Sequence, residues 1–303
     1  MLQSPATTKE RLMADQLQML ESVIFEKIRK SEEQIEGLLD SDVIYFFGEI
    51  RIDNAQYFRN FLEKVVERGR KSKKLSLCLS TPGGSVEAVE KMVAIIRHHY
   101  TEVNFIVPDM AMSAGTIFCM SGDKIYMDYF SSLGPIDPQV LDKEGRYFVP
   151  ALGYLDKVKE LIEKSRNRTI TPAEFALLEK QDFAILSLYE QAKELSIELL
   201  KTWLVQYKFK DWSKHRTNNP GQEVTKWEKE ELAEKIAGIL SDNNRWHSHA
   251  RMIGIDTLTE MKLEIENLSD NPDLLDAVRS YCDTLFSYLK RHAIPFHLHS
   301  RHL

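Results

Sequence analysis

The sequence predicts a mixed α/β fold built on a mainly parallel, buried sheet, with helical segments before and after it. Three observations carry that prediction. Apolar runs of strand length stand at Val43–Ile50, Leu75–Leu79, Val103–Val107 and Ile125–Met127, fairly rich in β-branched or aromatic residues. Helical stretches separate them near 54–68, 85–99 and 112–121, so strand and helix alternate as in βαβ units. The runs are apolar enough for strands covered on both faces.

The elements outside that core read in order. Residues 8–40 form an amphipathic helix, with Leu12, Leu17, Leu20, Ile24, Ile28 and Ile35 recurring at helical intervals. Its charges are mixed rather than basic, which suits a packing or oligomer-contact helix better than a membrane-surface one. Leu152, Leu155, Val158, Leu161 and Ile162 mark the next helix. Thr171-Pro172-Ala173-Glu174 is a capping box with proline at the first helical position. It predicts one long helix to about Tyr207, with Leu178, Ile185, Leu188, Ala192, Leu195, Leu199 and Trp203 on its core face. Residues 209–223 read as a polar linker. Thr225 to Glu228 is a second capping box, opening a helix to about Leu240. A loop with Trp246, His247 and His249 comes after it, and Asn271-Pro272 starts a last helix to about Lys290. The tail from His292 to His302 holds four of the nine histidines, but no carboxylate or cysteine accompanies them. A frayed end is expected there rather than a metal site. These patterns divide the chain into an arm (1–40), a catalytic core with a long helix (41–208) and a helical C-terminal extension (209–303).

Composition excludes more than it assigns. With 43% apolar and 28% charged residues over 303 positions, disorder is excluded as the main state. A net charge of −6 gives no electrostatic footprint for nucleic acid or an anionic membrane. Three cysteines, Cys78, Cys119 and Cys282, make no closed disulfide framework and no metal-ligand spacing. The N-terminus is charged where a signal peptide needs an apolar run, and no stretch reaches the length of a membrane span. A reducing cytoplasm is the expected compartment.

Two segments carry candidate chemistry. Leu79-Ser80-Thr81-Pro82-Gly83-Gly84-Ser85-Val86 ends one buried strand and starts a helix. Its glycines permit positive φ, and N–H groups beside a helix N-terminus suit a developing negative charge. Read alone, it is equally a plain strand-to-helix turn. Pro108-Asp109-Met110-Ala111-Met112-Ser113-Ala114-Gly115-Thr116 ends the next strand and opens a short helix. A serine at such a junction stands at the carboxyl edge of the sheet, where α/β folds bind ligands. Small neighbours let a substrate backbone reach Ser113, and the Ala114 N–H can face an oxyanion. The plain alternative is a serine that caps the helix.

The ordered pair S-T-P-G-G-S-V and M-S-A-G-T resembles the Clp protease proteolytic subunit and the signal peptide peptidase A group, which share the ClpP/crotonase fold. Within that superfamily the sequence is most similar to the serine dehydrogenase proteinase family, through Leu133-Gly134-Pro135-Ile136-Asp137-Pro138-Gln139. The resemblance covers roughly residues 40–165. It implies a spiral of ββα units and a serine peptidase acting on peptides or unfolded protein. Ser113 matches the nucleophile, and Gly83, Gly84 and Ala114 match the oxyanion-hole segment. No histidine lies between His99 and His215, so the Clp-type base is absent from its usual place. The resemblance to the serine dehydrogenase proteinases implies the chain order Ser113, Asp137, His249, the last from W-x-x-H-x-x-x-I, which favours it over His247. A lysine base, as in signal peptide peptidase A, could come from Lys143, Lys157 or Lys159. His249 ranks above them because a lysine base needs a large downward pKa shift. Asp137 could also serve only an Asx turn, and His98-His99 reads as structural at a helix end.

Two other functions compete: a ClpP-like scaffold that has lost its base, and a crotonase-type CoA-thioester enzyme. The resemblance further implies a homo-oligomer, and any ATP-dependent unfoldase must be a separate partner, since no phosphate-binding loop motif is present. No cofactor and no metal are expected.

Overall fold

The computed structural model describes residues 8–70, 72–141, 148–215 and 221–303. The chain opens with the 32-residue helix α1 (Thr8–Leu39). Strand β1 (Asp42–Gly48), helix α2 (Ala55–Arg68), β2 (Lys74–Ser80), α3 (Val86–His99) and β3 (Glu102–Val107) come next. A short strand β4 (Met110–Ala111) leads to α4 (Ala114–Met120), β5 (Lys124–Met127) and β6 (Ser132–Leu133). Strand β7 (Gln139–Leu141) pairs antiparallel with β8 (Phe148–Pro150). Helices α5 (Ala151–Arg166), α6 (Pro172–Glu179), α7 (Phe183–Trp203), α8 (Lys226–Ser241), α9 (Asn243–Trp246) and α10 (Ile255–Glu260) succeed them. Strand β9 (Glu266–Asn267), α11 (Pro272–Arg291) and β10 (Phe296–His299) complete the chain.

The central sheet has the order β10-β1-β2-β3-β5-β9, parallel throughout except for β10. Alternation within each strand decides what covers it. Ile44 and Phe46, Leu75, Leu77 and Leu79, and Phe105 and Val107 point to one face, into a core shared with α2, α3, α4, α7 and α8. Val43 and Tyr45, Cys78 and Ile106 point to the other face, against α1 and α11. Neighbouring parallel strands follow chain order and their crossover helices fall on one face, so the core winds as a spiral. All three cysteines are buried free thiols.

Both capping boxes form, at Thr171/Glu174 and Thr225/Glu228. The single long helix after Thr171 does not. It stops at Glu179 and restarts at Phe183, where the Asp182 carboxylate accepts from the N–H groups of Ala184 and Ile185. The restart changes the phase of the buried stripe, so Leu186, Leu200 and Trp203 are buried while Ile185 and Leu188 are exposed. The linker is also less open than its composition suggests. Phe209 is buried, Trp212 packs edge-on against it at 5.8 Å, and Lys214 bridges Glu223. Residues 216–220 lie outside the described residues.

The tail is not frayed. Phe296–His299 pairs with β1 as an antiparallel edge strand. The end of this strand and the residues beyond it meet carboxylates that sequence spacing could not place nearby. Glu32 and Glu36, fully buried on α1, accept from Arg301 N (2.8 Å) and from Arg301 Nε (2.8 Å) respectively. His302 Nε2 lies 2.7 Å from Glu36 and His299 Nδ1 lies 3.1 Å from Glu32. Among the described residues, Glu36, Asp42 and His302 offer atoms within 4.8 Å of one another, spacing a metal could use. Those carboxylates already accept protein donors, Arg301 and His302 on Glu36 and Tyr100 and the Arg70 N–H on Asp42.

Candidate active site

Ser113 stands between β4 and α4 with φ 52° and ψ −117°, a backbone conformation that side-chain-bearing residues rarely adopt. The turn is held from both sides. Gly115 N–H donates to Met112 O at 2.8 Å, Thr116 N–H to Ser113 O at 2.9 Å, and all of α4 is buried. The Ser113 side chain makes no capping hydrogen bond, so the helix-cap alternative leaves its hydroxyl unexplained. The small residues beside it are sterically required. A Cβ on Gly115 would lie 2.5 Å from Thr81 Cγ2.

The glycine loop packs directly on this turn. Gly83 has φ 109°, and a Cβ there would lie 2.9 Å from Ser113 Cβ and 3.5 Å from the Ala114 nitrogen. Gly84 has φ 143°, and a Cβ there would lie 2.0 Å from Ile50 O. The three candidate donors differ. Gly83 N–H already donates to Thr81 Oγ1 at 3.0 Å. Among the described residues, the N–H groups of Gly84 and Ala114 meet no acceptor. Only Gly83 is seen to pack on the serine turn, and both the Gly84 and Ala114 amides lie within one residue of that contact.

Asp137 and His249, 112 positions apart, meet: Nδ1 of the imidazole is 2.9 Å from Oδ1 of the carboxylate. Asp137 is 1% exposed and His249 23% exposed, so the carboxylate is sealed while the ring reaches an opening. The pairing of short strands sets the segments that carry Ser113, Asp137 and His249 side by side. Met110 and Ala111 pair with Ser132 and Leu133, and Leu133 exchanges two backbone hydrogen bonds with Ile253 (3.0 and 2.9 Å). Ser113 follows the first of these segments, Asp137 the second, and His249 precedes the third. Among the described residues, no hydrogen bond joins Ser113 Oγ to the imidazole. Such contacts are often long in the unliganded state and tighten on substrate binding.

The other base candidates lack this setting. Lys157 is exposed and paired with Glu160 at 2.8 Å, and Lys159 is exposed on α5. A lysine base needs burial to shed its proton. Lys143 lies outside the described residues. His247 is exposed, with φ 59°, where α9 ends. Two residues went unnoticed in the sequence. Gln139 donates from Nε2 to the second Asp137 oxygen at 2.9 Å, leaving that carboxylate held on both sides. The Thr116 hydroxyl accepts from Gly134 N–H at 2.9 Å and lies 2.9 Å from Ala111 O, tying α4 to the loop that carries Asp137. Both stand inside the quoted motifs, but hydroxyl and amide side chains carry no signal of their own there.

A serine in a strained strand-to-helix turn, two orphan amides and a buried Asp–His pair are the parts of a serine hydrolase site. The profile of the family described as ClpP-like SDH-type serine proteinase matches residues 22–220. The chain belongs to that family. It is 33% identical over 141 residues to the uncharacterized protein MJ0137 of Methanocaldococcus jannaschii, a match covering 44% of this chain and 48% of that one. It is 30% identical over 142 residues to MJ1495 of the same organism, covering 44% and 47%. The chain thus spans about half the length of the curated relatives it matches. Among solved structures it is similar to a serine-to-alanine mutant of 1510-N, a membrane-bound stomatin-specific protease, with TM-score 0.45 and 13% identity over 78% of this chain and 84% of that one. A lysine-to-alanine mutant of the same protease in complex with a substrate peptide gives TM-score 0.45 and 16% identity, over 78% and 80%. Among the described residues of this chain, no helix is long and apolar enough to cross a membrane.

Proposed function

We propose that this chain hydrolyses peptide bonds through an acyl-enzyme on Ser113, with His249 as general base. The observation that carries the reading is the 2.9 Å bond between His249 Nδ1 and the buried Asp137. A carboxylate in that position holds the imidazole in the tautomer whose Nε2 is free to accept a proton, and stabilises the imidazolium then formed. The Ser113 hydroxyl attacks the peptide carbonyl and passes its proton to Nε2. The tetrahedral oxyanion is met by the N–H groups of Gly84 and Ala114, with Gly83 shaping the hole. The imidazolium then protonates the leaving amine. Water, activated by the same ring, hydrolyses the ester and restores the serine.

The test is covalent labelling and turnover. A fluorophosphonate probe is expected to label Ser113, and Ser113→Ala is expected to abolish both labelling and cleavage of an unfolded protein. His249→Ala is expected to lower kcat by about a thousandfold or more. Folded protein that takes up no probe and cleaves nothing would leave the scaffold reading in its place.

The same reading includes self-association in a cytoplasmic setting, with any unfoldase as a separate chain. Met19, Leu20 and Val23 on α1, and Phe175, Leu177, Phe183 and Leu188 on α6 and α7, are large apolar side chains left exposed. Apolar surface of that extent marks association sites. Sedimentation at micromolar concentration is expected to give a species larger than the 35.1 kDa chain, and a monomer there counts against it.

A further inference from the structure

Helices α7 and α8 lie side by side and leave a groove of about 910 Å³ along their outer surface. Two contacts hold its walls together. Lys201 on α7 pairs with Glu234 on α8, and Lys229 on α8 donates to the carbonyl of Phe209, past the end of α7. Residue numbers therefore run in opposite senses along the two walls, as in an antiparallel helix hairpin. The wall from Glu194 to Val205 is roughly 16 Å long, about three turns of helix.

The floor of the groove is apolar but open. Ile197 and Val205 are only partly buried against the core, and the Trp227 indole at the start of α8 is 67% exposed. Tryptophan is highly buried on average, and at binding surfaces it is among the residues that carry most of the energy. The rim is acidic beyond what the groove balances for itself. Five glutamates and two lysines line it. Both lysines are committed, Lys201 to Glu234 and Lys226 to Glu230 at 3.3 Å. Glu194, Glu198 and Glu231 have no cationic partner among the described residues. Glu194 and Glu198 stand one turn apart on α7, a spacing at which like charges repel, and a cation in the groove relieves that cost.

We infer that this groove docks an amphipathic basic helix of a separate protein. The apolar stripe of that helix lies over Ile197, Val205 and Trp227, and its cations meet Glu194, Glu198 and Glu231. A helix suits the site better than a strand, because two helical walls offer no free backbone edge to pair with. Arginine suits it better than lysine, because a guanidinium also stacks on an indole face. Every long helix of this chain mixes acids with bases, so a second copy supplies no such face. The groove uses none of Ser113, Asp137 and His249, so the inference stands apart from the hydrolytic reading.

The test is fluorescence anisotropy with labelled helical peptides of about 20 residues built from alanine, leucine and arginine, leucines on one stripe and arginines beside it. The full wild-type chain is expected to bind this peptide with Kd about 10 µM or tighter at low salt. A scrambled peptide of the same composition, and one with glutamate for arginine, are expected to bind at least about tenfold more weakly. Trp227→Ala and the triple change Glu194→Gln/Glu198→Gln/Glu231→Gln are each expected to weaken the arginine peptide by about tenfold or more. Glu67→Gln/Glu90→Gln/Glu260→Gln removes the same charge from exposed sites on α2, α3 and α10, and is expected to change binding by less than about twofold. Glu198→Lys/Glu231→Lys is expected to gain affinity for the glutamate peptide, a gain that a misfolded variant does not give. No binding by wild type, equal binding of the scrambled peptide, or equal losses in the two triple variants each overturns the docking site.

Discussion

In the proposed mechanism, Asp137 is the residue on which the chemistry turns. It is buried, and both oxygens are engaged, by His249 Nδ1 and by Gln139 Nε2. A buried carboxylate can stay in place only when it is hydrogen-bonded. Asp137→Asn is expected to lower kcat by about 10³–10⁴-fold with KM little changed, because an amide facing Nδ1 favours the wrong tautomer. Steady-state kinetics on folded variant protein decides this, and an unchanged kcat would move the base away from His249. At this scale the sequence carried a good deal. Ser113, Gly83, Gly84, Ala114, Asp137 and His249 were all nameable from short motifs and the resemblance they carry. That the Gly83 N–H is already taken was not, because only the fold shows Thr81 Oγ1 accepting from it. The pairing of Asp137 with His249 could be named from resemblance, yet local pattern has no means of joining positions 112 apart.

At the scale of elements, the π-helical turn Leu204–Lys208 that extends α7 draws a cation partly out of water. Lys208 Nζ reaches Asp123 O at 3.3 Å, and desolvation brings its pKa down from 10.5 to about 8. The unfolded chain therefore binds more protons at this position between pH 8 and 10.5, and stability rises with pH across that window. Below pH 8 the folded protein carries the full cost of the desolvated charge. The difference amounts to roughly 3 kcal/mol at most. Lys208→Met is expected to unfold at higher urea than wild type at about pH 7, with the gap closing towards about pH 10. Parallel pH dependence in the two proteins would show that Lys208 is already relieved. The sequence placed the long helices and the strands β1, β2, β3 and β5 through periodicity and capping boxes, but not the short β4, β6, β7, β8 and β9, the edge strand β10 or the short helices α9 and α10. It joined α6 and α7 because Asp182 is a cap only if the chain breaks there, and an aspartate after glutamine signals neither outcome alone.

Across the whole molecule, the two ends of the chain are fastened to each other. Arg301 reaches Glu36 on α1, and β10 adds an edge strand to β1. Glu36 is fully buried, so removing Arg301 leaves its charge to His302 Nε2 alone, at a cost of about 1.5–3 kcal/mol. Arg301→Ala is expected to lower stability by that amount, and Glu36→Gln in the same background to recover part of it. Denaturant unfolding measures both, and a loss below about 0.5 kcal/mol, the range of an ordinary surface substitution, would mean the pair is not holding the termini together.

By itself the sequence determined the alternation of strand and helix, the family and the candidates for the reacting groups. Those depend on local periodicity, turn chemistry and short motifs, each written within a short run of chain. Only the tertiary structure decided which N–H groups are free, where Asp137 finds its histidine, and that the histidine-rich tail is a strand rather than a loose end. Each of these depends on contacts between segments far apart in sequence. Their partners are set by which faces of the sheet and of α1 remain to be covered once the local elements have formed.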